Sequence, residues 1–272
     1  MTDRSMRFVW IVPLAATLAL LRLPAASAAD LDCLIEPHVV VSVGSSVEGL
    51  LETVKVDRGD LVKEGQVVAT LESSVEKASV ALAEARAAVE SGIKSNQVRV
   101  EFGVRRFVRT EDLFKKELIP LKEMDEAETA KILAEIGLLE AKENQRIAEL
   151  ELERARAALA IRTVRSPVTG VVVERFLHPG EFAKQVPILK LAQIDPLRVE
   201  VIAPVALLGK ISVGMRGEVI PEAPANGVHA ARVKVVDRVV DAASGTFGVR
   251  LQLPNPGYRL PAGLKCKVRF PR

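Results

Sequence analysis

The chain has 272 residues, with 38 Lys and Arg against 35 Asp and Glu, a formal net charge of +3, 49% hydrophobic residues and only 4% aromatic ones. That length accommodates two or three small domains, and mixed charge with few aromatics excludes the basic, aromatic-interleaved stripe of a nucleic-acid binder. The apolar content is mostly Ala, Val and Leu, which suits helix pairs and thin β-layers better than one thick core.

Residues 1–29 read as an export signal. Basic Arg4 and Arg7 precede an apolar stretch from Phe8 to Leu21, and the small residues Ala25-Ala26-Ser27-Ala28-Ala29 follow. The apolar run is short for a membrane span of about 20 residues, and an uncleaved anchor is the alternative. Cleavage removes three Arg and one Asp and takes the formal charge from +3 to +1. Leu31-Asp32 puts an acid where a lipoprotein signal needs a small residue before Cys33. Residues 30–46 then read as a strand belonging to a barrel or to its junction.

Residues 47–72, VEGLLETVKVDRGDLVKEGQVVATLE, return in degenerate form 121 positions later within residues 164–193. At that one offset Val47 falls on Val168, Gly49 on Gly170, Leu51 on Val172, Val56 on Leu177 and Gly59 on Gly180. Each half is a set of short β-runs punctuated by Gly, too small to be stable alone. The two halves are therefore expected to pack face to face as one small sandwich, with residues 73–163 leaving and returning between them.

That insertion reads as two long antiparallel helices. Ser73 followed by Glu76 has capping-box spacing. Val75, Ala78, Leu82, Ala85, Val89 and Gly92 recur at heptad steps, Asn96 and Arg99 interrupt them, and Ile93, Val100, Val104 and Phe107 carry the stripe onward. The return seam is more regular: Met124, Ala127, Ala134, Leu138, Ala141, Gln145, Ala148, Leu152, Ala155 and Leu159, with Lys131 as its polar exception. Pro120 suits a helix start. Arms from Ser74 to Glu117 and from Pro120 to Thr163 are 44 residues each, about 65 Å of helix.

Residues 194–272 change to short β-runs separated by Pro and Gly, the pattern of a small β-barrel. The expected fold class is thus α+β, a split β-sandwich with an inserted long antiparallel helical hairpin, followed by a small barrel. His38, His178 and His229 are scattered, no phosphate loop or paired-carboxylate constellation occurs, and Glu149, Glu151 and Glu153 suit a solvated helix face. The reading is of a non-enzyme without metal or cofactor.

The split repeat resembles the lipoyl/biotinyl fold. In its carrier proteins a modifiable Lys sits on the turn joining the halves, where this chain has Leu71-Glu72-Ser73-Ser74 followed by the hairpin. The whole arrangement is similar to the periplasmic adaptor, or membrane-fusion, proteins of tripartite efflux systems. That resemblance implies a periplasmic homo-oligomer, a hexameric ring or sleeve peripheral to the inner membrane, which links an inner-membrane transporter of the RND type to an outer-membrane channel. Pairing with an ABC-type exporter or type I secretion system is the alternative, and a biotinyl or lipoyl carrier is the rival from another class. In the tip RTEDLFKKELIP, Arg109, Leu113 and Pro120 match the spacing of the Arg, Leu and Ser by which the family's tips meet the channel, with Pro120 in place of Ser. Longer family members continue past the barrel into a membrane-proximal domain, expected to be absent here because the chain stops at Arg272. Cys33 and Cys266 are the only cysteines and, in an exported protein, are expected to form a disulfide, two buried thiols being the alternative.

Overall fold

The computed structural model describes residue 2 and residues 30–270. Apart from residue 2, the segment read as an export signal lies outside them. Strands β1 (Leu31–Val43), β2 (Gly49–Val54), β3 (Leu61–Val62) and β4 (Val67–Leu71) precede the hairpin, and β5 (Thr163–Arg165), β6 (Gly170–Arg175), β7 (Phe182–Ala183) and β8 (Leu189–Pro204) follow it.

The sequence repeat becomes a reciprocal interlock. The Leu51 amide donates to the Glu181 carbonyl at 2.9 Å, and at the repeat-equivalent place the Val172 amide donates to the Asp60 carbonyl at 2.9 Å. The Gly180 amide likewise donates to Leu51, and the Gly59 amide to Val172. Gly59 (φ 93°) and Gly180 (φ 89°) take the left-handed conformation that these equivalent turns need. Each half lends a strand to the other, since β2 pairs with β7 and β3 with β6. Apolar alternation then buries Leu51, Val62, Val68, Leu71, Val172, Ile188, Leu189 and Leu191 between the layers. Backbones approach so closely that a Cβ on Gly170 would lie 2.3 Å from the Ala192 carbonyl oxygen.

The hairpin departs from the sequence reading in its outgoing arm. That arm is two helices, α1 (Ser74–Ala87) and α2 (Ser91–Lys115), and the return arm is one, α3 (Leu121–Ala160). The break falls at Ala88–Glu90, where β-branched Val89 precedes the weak helix formers Ser91 and Gly92. Gln145 of α3 donates its side-chain amide to the Ala87 carbonyl freed by the break. The return seam packs inward as read, every residue of it at least partly buried. The α1 seam does not. Val75, Leu82 and Val89 face outward, and the inner positions are Ser73, Glu76, Val80, Ala83 and Ala87. The fully buried positions are small, as at Gly103, whose added Cβ would meet the Lys131 Cα at 3.2 Å. The capping box is not formed either. Ser73 makes no side-chain cap bond, the Ser74 amide donates to the Glu72 carboxylate at 2.8 Å, and Glu76 serves elsewhere.

Glu76 is taken by Arg162 at the hairpin root. Two guanidinium nitrogens of Arg162 reach one Glu76 oxygen at 3.0 and 2.6 Å, and the third donates to the Glu48 carbonyl at 3.1 Å. The Leu71 amide donates to the Arg162 carbonyl, so one residue ties both helix ends to the sandwich.

Beyond the sandwich, β9 (Arg216–Pro221), β10 (His229–Val236), β11 (Thr246–Leu253) and β12 (Lys265–Arg269) complete a closed six-strand barrel in the order β1-β12-β9-β10-β11-β8, with β1 and β8 pairing to close it. Its core includes Ile35, Leu197, Val199, Val219, Val233, Val249, Leu251 and Val268. β1 and β8 serve both units: residues 39–43 of β1 pair with 189–193 of β8 in the sandwich, and 33–37 pair with 197–201 in the barrel, after a register shift between Pro37 and Val39. The strand β8 therefore runs unbroken through residues 193 and 194, where composition changes. Buried Asn255 pins the joint by donating to the Ile194 and Leu260 carbonyls while its oxygen accepts from the Leu260 amide. Cys33 and Cys266 are register partners on β1 and β12, with Cα atoms 4.9 Å apart, and are joined as a disulfide.

Two stability predictions follow from these contacts. Gly170→Ala is expected to cost about 3 kcal/mol in urea unfolding because a carbonyl must move, whereas Gly59→Ala, with open space but a positive φ, should cost about 1 kcal/mol. Equal, small losses at both positions would refute the close approach. Arg162→Ala should cost about 2 kcal/mol, and Arg162→Lys should recover only part because an ammonium cannot span Glu76 and the Glu48 carbonyl together. Faster amide exchange confined to residues 73–80 and 155–162 is the local signature to measure.

Candidate functional site: the hairpin tip

The tip lies at the far end of an arm whose return helix has 40 residues, about 60 Å from the root. Arg109 and Leu113 occupy successive turns at the end of α2, and Pro120 stands across the turn as the N-cap of α3, with φ −74° and ψ 157°. The structure thus brings all three residues to one end of the molecule. Cys33 and Cys266 are in the barrel and form no part of this site.

The turn itself is a tightly hydrogen-bonded helix stop. The Leu118 amide donates to the Leu113 carbonyl at 3.0 Å and the Glu117 amide to the Phe114 carbonyl at 2.8 Å, the paired pattern that ends a helix with one left-handed residue. Glu117 supplies that conformation at φ 58°. Gly is the usual occupant, so the sequence carried no signal for the motif. Its consequence is an apolar apex, with Leu118 66% exposed and Leu113 and Phe114 exposed beside it. Charges flank the apex. Lys115 pairs with Glu111 at 2.9 Å, and that carboxylate raises the lysine pKa. Among the described residues Arg109 has no ion-pair partner, and its guanidinium lies exposed on the rim. Pro120 has no hydroxyl and no amide proton, so it contributes shape and a carbonyl that accepts from the Glu123 amide at 3.1 Å.

Elsewhere the chemistry is sparse. Among the described residues no group of three or more His, Cys, Asp or Glu is placed to hold a metal. His38 is exposed at the β1 register shift, His178 lies in a turn with Nδ1 3.8 Å from Glu181, and the His229 Nε2 is buried without a partner. The turn where a carrier protein has its lysine continues directly into α1, and hydrogen bonds from Ser74 hold the Glu72 carboxyl below its ordinary pKa. No helix of the described residues is long and apolar enough to cross a membrane.

Known proteins share this architecture. The chain is 26% identical over 241 residues to the macrolide export protein MacA of Yersinia pestis, covering 84% of this chain and 63% of the relative. It is also 26% identical over 256 residues to the nickel and cobalt resistance protein CnrB of Cupriavidus metallidurans, covering 91% of this chain and 60% of that one. An uncharacterized Haemophilus influenzae protein matches at 21% over 239 residues, 87% of this chain and 56% of its own length. The chain therefore spans about three-fifths of the length of these relatives. Among solved structures, MacA from Actinobacillus actinomycetemcomitans superposes with a TM-score of 0.73 at 19% identity, over 89% of this chain and 78% of that one, and the membrane fusion protein Spr0693 from Streptococcus pneumoniae with 0.61 at 15%, over 89% and 98%. Residues 197–272 match the CusB-like β-barrel domain. With residues 39–192, more than half of its length, matching the CzcB-like barrel-sandwich hybrid domain, the chain belongs to that family of membrane-fusion adaptors.

Proposed function

We propose that this protein is a periplasmic adaptor of an efflux system, bridging an inner-membrane transporter to an outer-membrane channel as a homo-oligomeric sleeve and catalysing no reaction. The observation that carries the reading is the hairpin. A stiff arm of about 60 Å projects from two small β-units and ends in an exposed apolar apex with exposed Arg109 beside it, a shape suited to contact at a distance. The transporter we assign is of the RND type. The relatives differ in cargo by name, one macrolide and the other nickel and cobalt. The tip docks by inserting Leu113 and the Leu118 apex into the channel's periplasmic end while Arg109 meets an acidic group or carbonyl there. Pro120 replaces a hydrogen bond with a fixed turn.

The tip assignment is tested by Arg109→Glu and Leu113→Asp. Both are expected to abolish export in cells and crosslinking of the tip to a channel protein, with thermal unfolding of the purified chain unchanged to within about 0.5 kcal/mol because neither side chain is buried. Normal export, or loss of folding, would remove the assignment. Pull-down of the full chain identifies the transporter, and recovery of an ABC exporter would replace the RND partner.

Barrel closure yields a second test. In an oxidising compartment the Cys33–Cys266 bridge links strands 233 residues apart in sequence, and loop closure of that size stabilises by at most about 5 kcal/mol. Cys33→Ser and Cys266→Ser should lower the melting temperature equally, with the double variant no worse than either. Two thiols titrated in the denatured, unreduced protein would refute the bridge.

A further inference from the structure

The loop joining β9 to β10 has the sequence EAPANGV over residues 222–228. It holds the one asparagine of the chain that a glycine follows. Asn96 and Asn144 lie inside α2 and α3, and Asn255 is buried in the hydrogen bonds of the joint and precedes Pro256, which has no amide proton. Asn226 is exposed, and among the described residues its carboxamide has no hydrogen-bond partner. The backbone amides from Ala225 to Val228 likewise make no hydrogen bond among the described residues. Gly227 takes φ 117°, a conformation open to glycine, and its missing side chain leaves its backbone nitrogen approachable.

His229 opens β10, where it is the register partner of Val219. Its imidazole turns back over the loop. A Cβ built on Gly227 would lie 3.4 Å from the His229 Nε2 and 3.9 Å from Cε1, so the ring stands beside the Gly227 backbone at contact distance. That Nε2 is buried and has no hydrogen-bond partner. Buried polar atoms are seldom left so. A carboxamide carbon, the amide nitrogen of the next residue and an imidazole nitrogen are thus gathered in one loop with none of them engaged elsewhere.

We infer that Asn226 is a site of self-directed covalent modification, in which the Gly227 nitrogen closes a succinimide ring on the Asn226 side chain and His229 acts as the base. The neutral imidazole, with its own proton on Nδ1, takes the Gly227 amide proton at Nε2, directly or through one water. The Gly227 N to Asn226 Cγ bond forms, the Cγ to Nδ2 bond breaks, and the proton leaves with the amide nitrogen as ammonia. Water then opens the ring. Attack at the main-chain carbonyl leaves isoaspartate, with one methylene added to the backbone, and attack at the side-chain carbonyl leaves aspartate. Either product adds a negative charge to a loop that already holds Glu222. Holding nucleophile, carbonyl and base in one turn is what makes the step faster than in a free chain. The reaction consumes its own residue and turns nothing over, so it depends on neither transporter nor channel.

The purified full-length chain is incubated at neutral pH, native and in urea in parallel, and each asparagine is followed by peptide mapping with mass detection. In the native chain Asn226 is expected to become a mixture of isoaspartate and aspartate while Asn96, Asn144 and Asn255 remain amides. His229→Gln should slow the native reaction by about tenfold or more, and His229→Phe, which keeps the bulk of the ring without its nitrogens, should do the same. In urea, where the imidazole is no longer held over Gly227, both variants should match the wild-type chain. Native variants that convert as fast as wild type would overturn the role of His229. Asn226 that persists in the native chain while it converts in urea would overturn the site, and aspartate formed without isoaspartate would overturn the ring.

Discussion

Everything in this molecule depends on the interlock of two half-modules that cannot fold separately. The reciprocal hydrogen bonds of Leu51 with Glu181 and Val172 with Asp60 satisfy backbone groups of each half with groups of the other. They also hold Leu71 and Arg162, the residues beside the two hairpin ends, within one hydrogen bond of each other. A long insertion is tolerated there because loop-closure entropy grows slowly with length and because a helix pair returns to its origin of its own accord. The hairpin is therefore anchored by the fold that it interrupts.

The helices show what close approach demands. Ala83, Gly103 and Ala127 are the buried positions of the three helices, all small. A seam of this kind buries little apolar area, about 25 cal/mol for each Å², so the pair draws stability from its anchored root, from Gln145 at the break, and from cross-helix pairs such as Arg156 with Glu84 at 2.8 Å. Other large apolar side chains, such as Val75, Leu82 and Phe102, lie on the outer faces. On a protein exposed to water, stripes of that extent mark contact surfaces.

The joint between sandwich and barrel is built differently. Instead of a linker, the paired strands β1 and β8 pass through both units, with a register shift at Pro37–Val39 and the cis Asp195–Pro196 bond opposite it. The two cores remain distinct on either side. Ladder hydrogen bonding on both sides of the shift makes this ribbon stiffer than a peptide linker.

Residue order by itself determined the split repeat, the site of the insertion, the return helix with its seam, and the presence of a barrel, because Gly spacing and hydrophobic period are local properties read directly along the chain. The 121-residue offset even specified which backbone groups would prove equivalent. Tertiary structure alone decided the rest. Val75, Leu82 and Val89 have heptad spacing as good as any inner seam, yet the fold turns Val75 and Leu82 outward, sets Val80, Ala83 and Ala87 against α3, and breaks the helix at Val89. Glu76 has capping-box spacing from Ser73, yet a guanidinium 86 residues away outcompetes a helix-end amide for it. Glu117 shows no preference for a left-handed turn, and adopts one because the two arms must reverse there. In each case several local arrangements were nearly equal in energy, and contacts with residues distant in the chain chose among them.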